Sequence, residues 1–556
     1  MTLKQRIIAL GPDWRTLASG VAIIFAFPPW DLSWLIWFVL VPWLMAVKRA
    51  ASWRGALRQG YWMCFCMTIG GFYWVAYVLN EFAAVPWVLC GLFLIAFASF
   101  NEIQFIILAP LLRVLLRNCS SAGAPWRILA VILATALFYT GADWLFPKLF
   151  ADTLGHAFYI NRNIRQAADI GGANLLTLGA ILSNLAIWQL IDRMTGRREP
   201  SIWPALHRSV LPLVAAGALA AAFVIYGTER NKTVSAAVAN ARQKINLGVV
   251  QANIGDLEKM AAEQGLRDAA FQVVRKYIEL SDIALKSAPR PDAIIWPETA
   301  FPSTFRTPEN TYELARDQLV EQFVRTSGVP LLFGGYDQRD GLDYNTLFFL
   351  DPSPRMGGYD LQLHHKSKLL MFGEYIPGVK MFPFLQKLFP QVANFGSGPG
   401  PEVLKIPHPL HDKNREPVPV GPIICYEALF PWFILEAARS GSRMILNVTN
   451  DSWFGYYGEP ELHLALTTFR GIEARLPQIR STNTGITALI MPDGEIVKRT
   501  QKHKVEVLNV TVPLNDPIPT LMLRLGDWFG PAALAAALVA FGMLFLPERA
   551  RRSRRA

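Results

Sequence analysis

Three side chains of complementary chemistry stand at the ends of strand-like runs: Glu298 after AIIWP, Lys366 after LQLHH and Cys425 after VGPII, 68 and then 59 residues apart. A free thiol has a pKa of about 8.5 and only its thiolate is a strong nucleophile, so a reacting cysteine needs a base or a cation beside it. A carboxylate at 298 can take the thiol proton, and an ammonium at 366 can stabilise the oxyanion formed when sulfur attacks a carbonyl. Each residue also fits a plain structural role: a small core thiol, a carboxylate at a helix start, a solvated lysine beside two histidines. Cys425 is the one thiol between residues 228 and 520, so no disulfide can form there. Cys64, Cys66, Cys90 and Cys119 lie in or beside apolar runs, and the Cys64–Cys66 pair, with no nearby His or carboxylate, reads as packing.

The elements that must carry these groups read as an α/β domain. INLGVVQANI, DAIIWPETA, VPLLFGGYD, YNTLFFLDP, PVGPIICYEALF and MILNVTNDSWFG are strand-like, with helical stretches predicted at 259–287, 310–327 and 461–475. AIIW and GPIIC are apolar on both faces, as central strands require. The glycines of FGSGPGPE (Gly396, Gly398, Gly400) sit among prolines with no helix after them, which excludes a phosphate cradle.

Around this domain the composition belongs to a different solvent. The 556 residues are 52% hydrophobic and 17% charged, with a mean hydropathy of +0.25, and the apolar residues gather before about residue 227 and near 528–546. Spans are predicted at about 16–30, 32–47, 59–80, 85–112, 128–146, 172–191, 209–227 and 528–546, eight in all, the first two forming a hairpin turned at Pro28–Trp30. The N-terminus carries no cleavage site and is not read as a signal peptide. Lysines and arginines alternate between loops: Lys48, Arg49, Arg54, Arg58, Arg113, Arg117, Arg193, Arg197 and the tail arginines 549–555 fall on one side. The loops near 28–34, 80–86 and 147–171 hold only Lys148, Arg162 and Arg165. The bias places both termini in the cytoplasm and residues 228–520 outside. Residues 228–520 hold 31 Lys/Arg and 32 Asp/Glu, so the net +11 belongs to the membrane part and tail, and no nucleic-acid partner is implied. The basic tail reads as an anchor on anionic lipid. Asn101, Glu102 and Gln104 fall inside the fourth span, where polar groups serve either helix–helix hydrogen bonding or a substrate path. The division expected is 1–227 seven-span membrane part, 228–520 catalytic domain and 521–556 last span with tail.

Five motifs follow in order: WPETAFP, HHKSKLLMFGEYIP, GPIICYEALFP, NVTNDSWFG and RSTNTGITA. Together they resemble the nitrilase, or carbon–nitrogen hydrolase, superfamily. With seven spans before the domain and one after, the whole chain resembles that superfamily's membrane-embedded acyltransferases, the apolipoprotein N-acyltransferase family of Gram-negative bacteria.

The resemblance implies a nitrilase-like αββα sandwich inserted between the spans of an eight-span helical membrane part. It implies Glu298 as general base, Lys366 as charged stabiliser and Cys425 as nucleophile, with Glu374, Asn345, Tyr426 and Glu427 in supporting or substrate-binding positions. It also implies the reaction: an sn-1 acyl chain leaves a phospholipid of the phosphatidylethanolamine type as a Cys425 thioester, then passes to the α-amine of a diacylglyceryl-cysteine on an apolipoprotein. The location implied is a bacterial inner membrane, with the catalytic domain periplasmic. Three places depart from the family pattern: Leu370–Met371 where Val-Pro is usual, Lys259–Met260 where Lys-Trp is usual, and Ala474–Pro477 where Gly-Arg-Pro is usual. No metal or organic cofactor is implied, since His364 and His365 lack partners at ligand spacing. Residues 379–390 (VKMFPFLQKLFP) crowd Met381, Phe382, Phe384, Leu385, Leu388 and Phe389, and fit a lid dipping into lipid or a segment packed on the core. Two other functions fit parts of the sequence: a membrane-tethered amidase that releases the acyl group to water, and a transporter or receptor with an outer sensing domain.

Overall fold

The structure, a computed structural model, describes residues 11–83, 85–121, 124–195, 202–255, 267–308, 310–352, 360–371, 373–379, 381–384, 387, 392–407, 416–456 and 458–545. Two compact units emerge: Met1–Ala76, Pro86–Arg230 and Asp527–Ala556 in one, Tyr77–Val85 and Asn231–Gly526 in the other.

The first unit is helical: α1 (Trp14–Ala22), α2 (Val41–Arg49), α3 (Trp53–Gly71), α4 (Val75–Ala83, which runs into the second unit), α5 (Trp87–Ala98), α6 (Ile103–Ser121), α7 (Pro125–Leu145), α8 (Ala168–Thr195), α9 (Ile202–Ala239) and a C-terminal helix, Phe529–Phe545. Among the described residues, Trp87–Cys119, Pro125–Leu145, Ile164–Thr195 and His207–Ala239 are long and apolar enough to cross a bilayer. A fifth is added if α3 and the start of α4, bent by 54°, count as one span; Trp14–Ala26 and Phe529–Leu544 are apolar but shorter. Their outer faces carry exposed Val88, Leu92, Phe93, Val214, Ile225, Leu538 and Val539, side chains that lipid covers at no cost in hydration.

The structure redraws several of the predicted spans. The first two are built partly from 3₁₀ turns, Ile23–Ala26 and Ser33–Trp37. The fourth breaks between α5 and α6, where Asn101, Glu102 and Gln104 turn inward. Gln104 Nε2 donates to Glu102 and, at 2.9 Å, to Asp143 Oδ1, while Lys148 Nζ sits 2.8 Å from Asp143 and 3.6 Å from Glu102. Buried charge at such depth persists only with partners, and Lys148 supplies one for Glu102 and for Asp143, which Gln104 also meets. The helix that holds the seventh predicted span, α9, continues past 227 to Ala239.

The second unit is a four-layer sandwich. Its strands are β1 (Gln243–Gln251), β2 (Ala293–Ile295), β3 (Leu331–Arg339), β4 (Leu342–Asp351), β5 (Asp360–His365), β6 (Leu404–Ile406), β7 (Val418–Ile424), β8 (Met444–Thr449), β9 (Gln478–Thr482), β10 (Ala488–Ile490), β11 (Ile496–Arg499) and β12 (Glu506–Leu514). They form two six-stranded sheets, β12-β1-β2-β3-β4-β5 and β11-β10-β9-β8-β7-β6. Side chains alternate between sheet faces, and the sequence uses both. Ile295, Leu247, Leu332 and Leu347 meet Val420, Ile424, Leu446 and Val448 between the sheets. Ile294, Val250 and Phe333 face the other way, against Val274 and Tyr277 of helix α10 (Arg267–Leu285) and Val320 and Val324 of α11 (Thr311–Ser327). The second sheet's outer face, Ile423 and Ile445, is covered by Phe433 and Ile434 of α12 (Pro431–Arg439) and Ala474 of α13 (Glu459–Ala474). Strands β1, β2 and β3 run parallel, as do β7, β8 and β9, so β2, β7 and β8 end on one edge of the sandwich.

Candidate active site

Glu298 lies three residues past β2, in a turn whose next residue, Thr299, has φ +51°. One close approach fixes this turn. A Cβ on Gly334 of β3 would lie 2.5 Å from the Thr299 nitrogen, 2.6 Å from Glu298 Cα and 2.7 Å from the Pro297 oxygen, so only glycine lets the carboxylate-bearing turn cross the strand. Glu298 Oε1 accepts from Asn345 Nδ2 at 2.7 Å and Lys366 Nζ at 3.1 Å, and Oε2 accepts from the backbone N–H of Asn450 at 2.9 Å, just past β8.

Lys366 directly follows β5 and is held in place through its backbone, its N–H donating to Asn345 O at 2.8 Å and its carbonyl accepting from Gly398 at 2.9 Å. Its side chain is 2% exposed, so the reading of a solvated lysine is wrong. A second carboxylate, Glu374, accepts from Nζ at 2.8 Å and from Asn345 Nδ2 at 2.9 Å. Glu374 Oε2 also accepts from Leu370 N–H at 2.8 Å, while its own N–H returns to Leu370 O at 2.9 Å. The Leu370–Met371 departure from the family pattern therefore leaves this turn closed. Burial works against the Lys366 charge, but Glu298, then Glu374, outweigh it and hold the ammonium well above its ordinary pKa.

Cys425 begins the 3₁₀ turn Cys425–Leu429 at the end of β7, with φ +49°. A non-glycine residue in the left-handed region is strained, and such strain gathers where a side chain must be presented at a fixed angle. Burial, then the Glu298 carboxylate, push the thiol well above its ordinary pKa; Lys366 and the hydroxyl of Thr449 pull the other way without prevailing. The register pairing Ile424 with Val448 puts Thr449 beside Cys425. The thiol's neutral form is thus favoured beside the Glu298–Lys366–Glu374 array.

Of the two positions after Cys425, Tyr426 packs edge-on against Phe430 at 5.2 Å, with burial pushing its phenol up to about 12. Glu427 is fully buried and accepts from Ser367 N–H at 2.6 Å, Ser367 Oγ at 3.0 Å, Lys368 N–H at 3.3 Å and Ile424 N–H at 2.8 Å. It faces the protein and joins the Lys366 turn to the Cys425 turn. Burial favours its neutral form, but His364 and these backbone N–H groups win and hold it below the usual glutamate range.

Behind Asn450 lies a buried polar group that the sequence did not announce. Asp451 accepts from Arg480 Nη2 at 2.8 Å and from Thr449 Oγ1 at 3.2 Å, and Arg480 Nη2 lies 3.1 Å from His463 Nδ1. Asp451, Glu459 and His463 bring one possible ligand atom each within 4.8 Å of one another, yet the Arg480 guanidinium already supplies the positive charge there. Burial is outweighed by Arg480 and His463, which bring Asp451 down to about 2. Of this group only Asp451 and Arg480 fall inside the motifs NVTNDSWFG and RSTNTGITA, with Glu459 and His463 between them, and it became legible once α13 and β9 were placed.

In the 379–390 segment, Met381, Phe382 and Phe384 are 76%, 50% and 57% exposed, which removes core packing for those three. Leu385, Leu388 and Phe389 lie outside the described residues, as do Lys259 and Met260.

With this geometry in place, the likenesses to known proteins are specific. Residues 19–186 match the apolipoprotein N-acyltransferase N-terminal domain and residues 236–520 match the carbon-nitrogen hydrolase domain. An apolipoprotein N-acyltransferase of Bdellovibrio bacteriovorus is 32% identical over 97% of this chain and 95% of its own. One of Geobacter metallireducens is 30% identical over 95% and 94%. Among solved structures, a carbon-nitrogen hydrolase of Helicobacter pylori G27 aligns at 16% identity with 50% of this chain and 91% of its own, at a TM-score of 0.35. A nitrilase-type sandwich joined to an apolar helical unit, with both domain matches and full-length relatives, places the chain in the apolipoprotein N-acyltransferase family.

Proposed function

We propose that Cys425 carries a fatty acyl group as a thioester from the sn-1 position of a phospholipid, of the phosphatidylethanolamine type, to the α-amine of a diacylglyceryl-cysteine on an apolipoprotein. The observation that carries this reading is the Lys366 side chain, shared between Glu298 and Glu374 at 3.1 and 2.8 Å, in one buried site with the Cys425 thiol. In the first half-reaction Glu298 takes the thiol proton as sulfur bonds to the ester carbon. Two of the three Lys366 N–H bonds are engaged by carboxylates, and the third turns to the oxyanion. When the carbon–oxygen bond breaks, the leaving alkoxide recovers the proton from Glu298 and departs as lysophospholipid. In the second, a neutral amine attacks the thioester carbon, Glu298 removes the amine proton, and as the carbon–sulfur bond breaks the sulfur takes that proton from Glu298, leaving the amide and the restored thiol. Asn345 spaces the two carboxylates, Glu374 fixes the ammonium, Glu427 holds the two turns, and Tyr426 borders the acyl group.

The domain limits we propose are 1–227, 228–520 and 521–556, with eight spans crossing a bacterial inner membrane. The lysine and arginine bias supports cytoplasmic termini and a periplasmic catalytic domain, and exposed Met381, Phe382 and Phe384 support a lid that dips into lipid. The test is Cys425→Ala in purified, folded protein mixed with phospholipid. Wild type gains one acyl mass on Cys425 and keeps it until an amine acceptor is added; the variant gains none. Acylation of the variant refutes the nucleophile, and release of free fatty acid from wild type before any amine is added favours the amidase.

A further inference from the structure

Both ring nitrogens of His364 face carboxylates. Nδ1 lies 2.8 Å from Glu402 Oε2 and Nε2 lies 3.3 Å from Glu427 Oε2, around a ring that is 0% exposed. A neutral imidazole offers one N–H and one lone pair. A lone pair aimed at a carboxylate around a buried ring repels it, so the two carboxylates, Glu427 buried and Glu402 35% exposed, favour an imidazolium. Glu427 cannot hold the proton instead, because four further hydrogen bonds from Ser367, Lys368 and Ile424 already converge on its two oxygens. Donors converging on a carboxylate keep it ionised. Burial disfavours the His364 charge, but the hydrogen bonds to Glu402 and Glu427 overcome it and raise the ring to about 9. Beside it on β5, His365 is engaged with Asp337 at 2.8 Å; Phe433 meets the His364 ring edge-on at 6.2 Å, and Leu347 is its partner on β4.

What this pair of carboxylates holds is specific. Ile424 precedes Cys425, and Ser367 and Lys368 follow Lys366, so Glu427 is the common anchor of the two turns that present the thiol and the ammonium. We infer that His364, as a standing imidazolium anchored by Glu402, is a positioning residue that clamps Glu427 and so fixes the separation of Cys425 and Lys366 through both half-reactions. Its ring nitrogens meet Glu402 and Glu427 rather than Cys425 or Lys366. The inference rests on the proposed roles of Cys425 and Lys366. A loosened clamp misplaces the oxyanion stabiliser relative to sulfur and leaves substrate binding alone, so it is read in the chemical step.

The experiment uses the full chain in detergent with phosphatidylethanolamine as donor, following acyl-Cys425 by intact mass. His364→Gln keeps a polar side chain of similar reach but cannot direct N–H groups to opposite carboxylates. It should slow acylation roughly 10- to 100-fold, the range expected when reacting groups drift by about 1 Å, with KM for donor changed less than about twofold. Glu402→Gln removes one of the two charges that stabilise the imidazolium. Wild-type acylation should therefore fall as pH rises through about 9, and in Glu402→Gln that fall should begin at lower pH, an effect that a merely structural role would not produce. Nitrogen-15 histidine spectra at pH 7.5 should show His364 protonated at both nitrogens, the signal being the one lost in His364→Gln. Wild-type rates in folded His364→Gln, an unmoved alkaline limb in Glu402→Gln, or a neutral His364 at pH 7.5 each overturn the clamp. Should His364→Gln not fold, the Glu402→Gln limb and the wild-type spectrum decide. If wild type itself gains no acyl group on Cys425, the nucleophile assignment fails, a result distinct from failure of the clamp.

Discussion

Lys366→Met separates the electrostatic role of the lysine from its role in the reaction. The side chain is 2% exposed, and it neutralises Glu298 and Glu374 at 3.1 and 2.8 Å, themselves 5% and 12% exposed. Methionine matches its length but leaves two buried carboxylates facing one another. Removing one partner of a buried ion pair costs roughly 3–5 kcal/mol, because the remaining charge is uncompensated. For a domain of this size 1 kcal/mol moves the midpoint by about 2–4 °C, so thermal unfolding should fall by roughly 6–20 °C. Acylation of Cys425 should fall by roughly 100- to 1,000-fold, the usual loss when one oxyanion donor is removed. The double variant Lys366→Met/Glu374→Gln removes one of the two orphaned charges; each carboxylate keeps two other donors, Asn345 and Leu370 for Glu374. Glu298 keeps its bonds from Asn345 and Asn450. Stability should recover by half or more while acylation stays low. The assays are thermal unfolding in detergent and single-turnover mass spectrometry. An unchanged midpoint in Lys366→Met would refute the claim that its ammonium balances the two carboxylates. Normal acylation in the double variant would refute its part in the chemistry.

Three further outcomes follow from particular contacts. Gly334→Ala drives a methyl group into the backbone of the Glu298 turn and should destabilise the fold by about 1–3 kcal/mol, with acylation lost even below the melting transition; a variant with wild-type kinetics would show that the turn is free to move. Because burial and Glu298 hold the Cys425 thiol well above its ordinary value, its alkylation by iodoacetamide, read on the Cys425 peptide, should still be climbing above pH 9 and should run faster at pH 8 in Glu374→Gln, where one negative charge is gone. A plateau below pH 8.5 would instead mean a standing thiolate–ammonium pair. For topology, a reporter joined after Asn240, where α9 has ended, should be active only when exported, and one joined after Arg555 only in the cytoplasm; either opposite result overturns the orientation.

The sequence made some parts of this molecule readable and left others closed, and the difference is physical. Runs such as AIIW and GPIIC carry branched apolar residues on both faces, and that alone marks a strand between two layers. Ile294 and Ile295 do face opposite layers of the sandwich. β6 and the last four strands, β9 to β12, were not predicted. β6, β10 and β11 have only three or four residues, too few for a period of two to stand out, whereas β9 and β12, with five and nine residues, were missed despite their length. The membrane helices were read as single apolar stretches. Where the helix breaks, at Asn101–Glu102, Glu102 pairs with Lys148 from far along the chain, which hydropathy does not weigh. The same reason hid Asp451–Arg480 and Glu402–His364–Glu427: an ion pair formed by residues 29, 38 or 63 apart leaves no local pattern, and a histidine beside a lysine reads as surface until the sheet encloses it. Charge inside this domain is concentrated where the two sheets present β2, β4, β5, β7 and β8 to one edge. Reactive groups need fixed distances between unlike charges, and fixed distances in a buried site require counter-charges. The polar residues that local pattern cannot reveal are therefore the ones that hold the legible three in place.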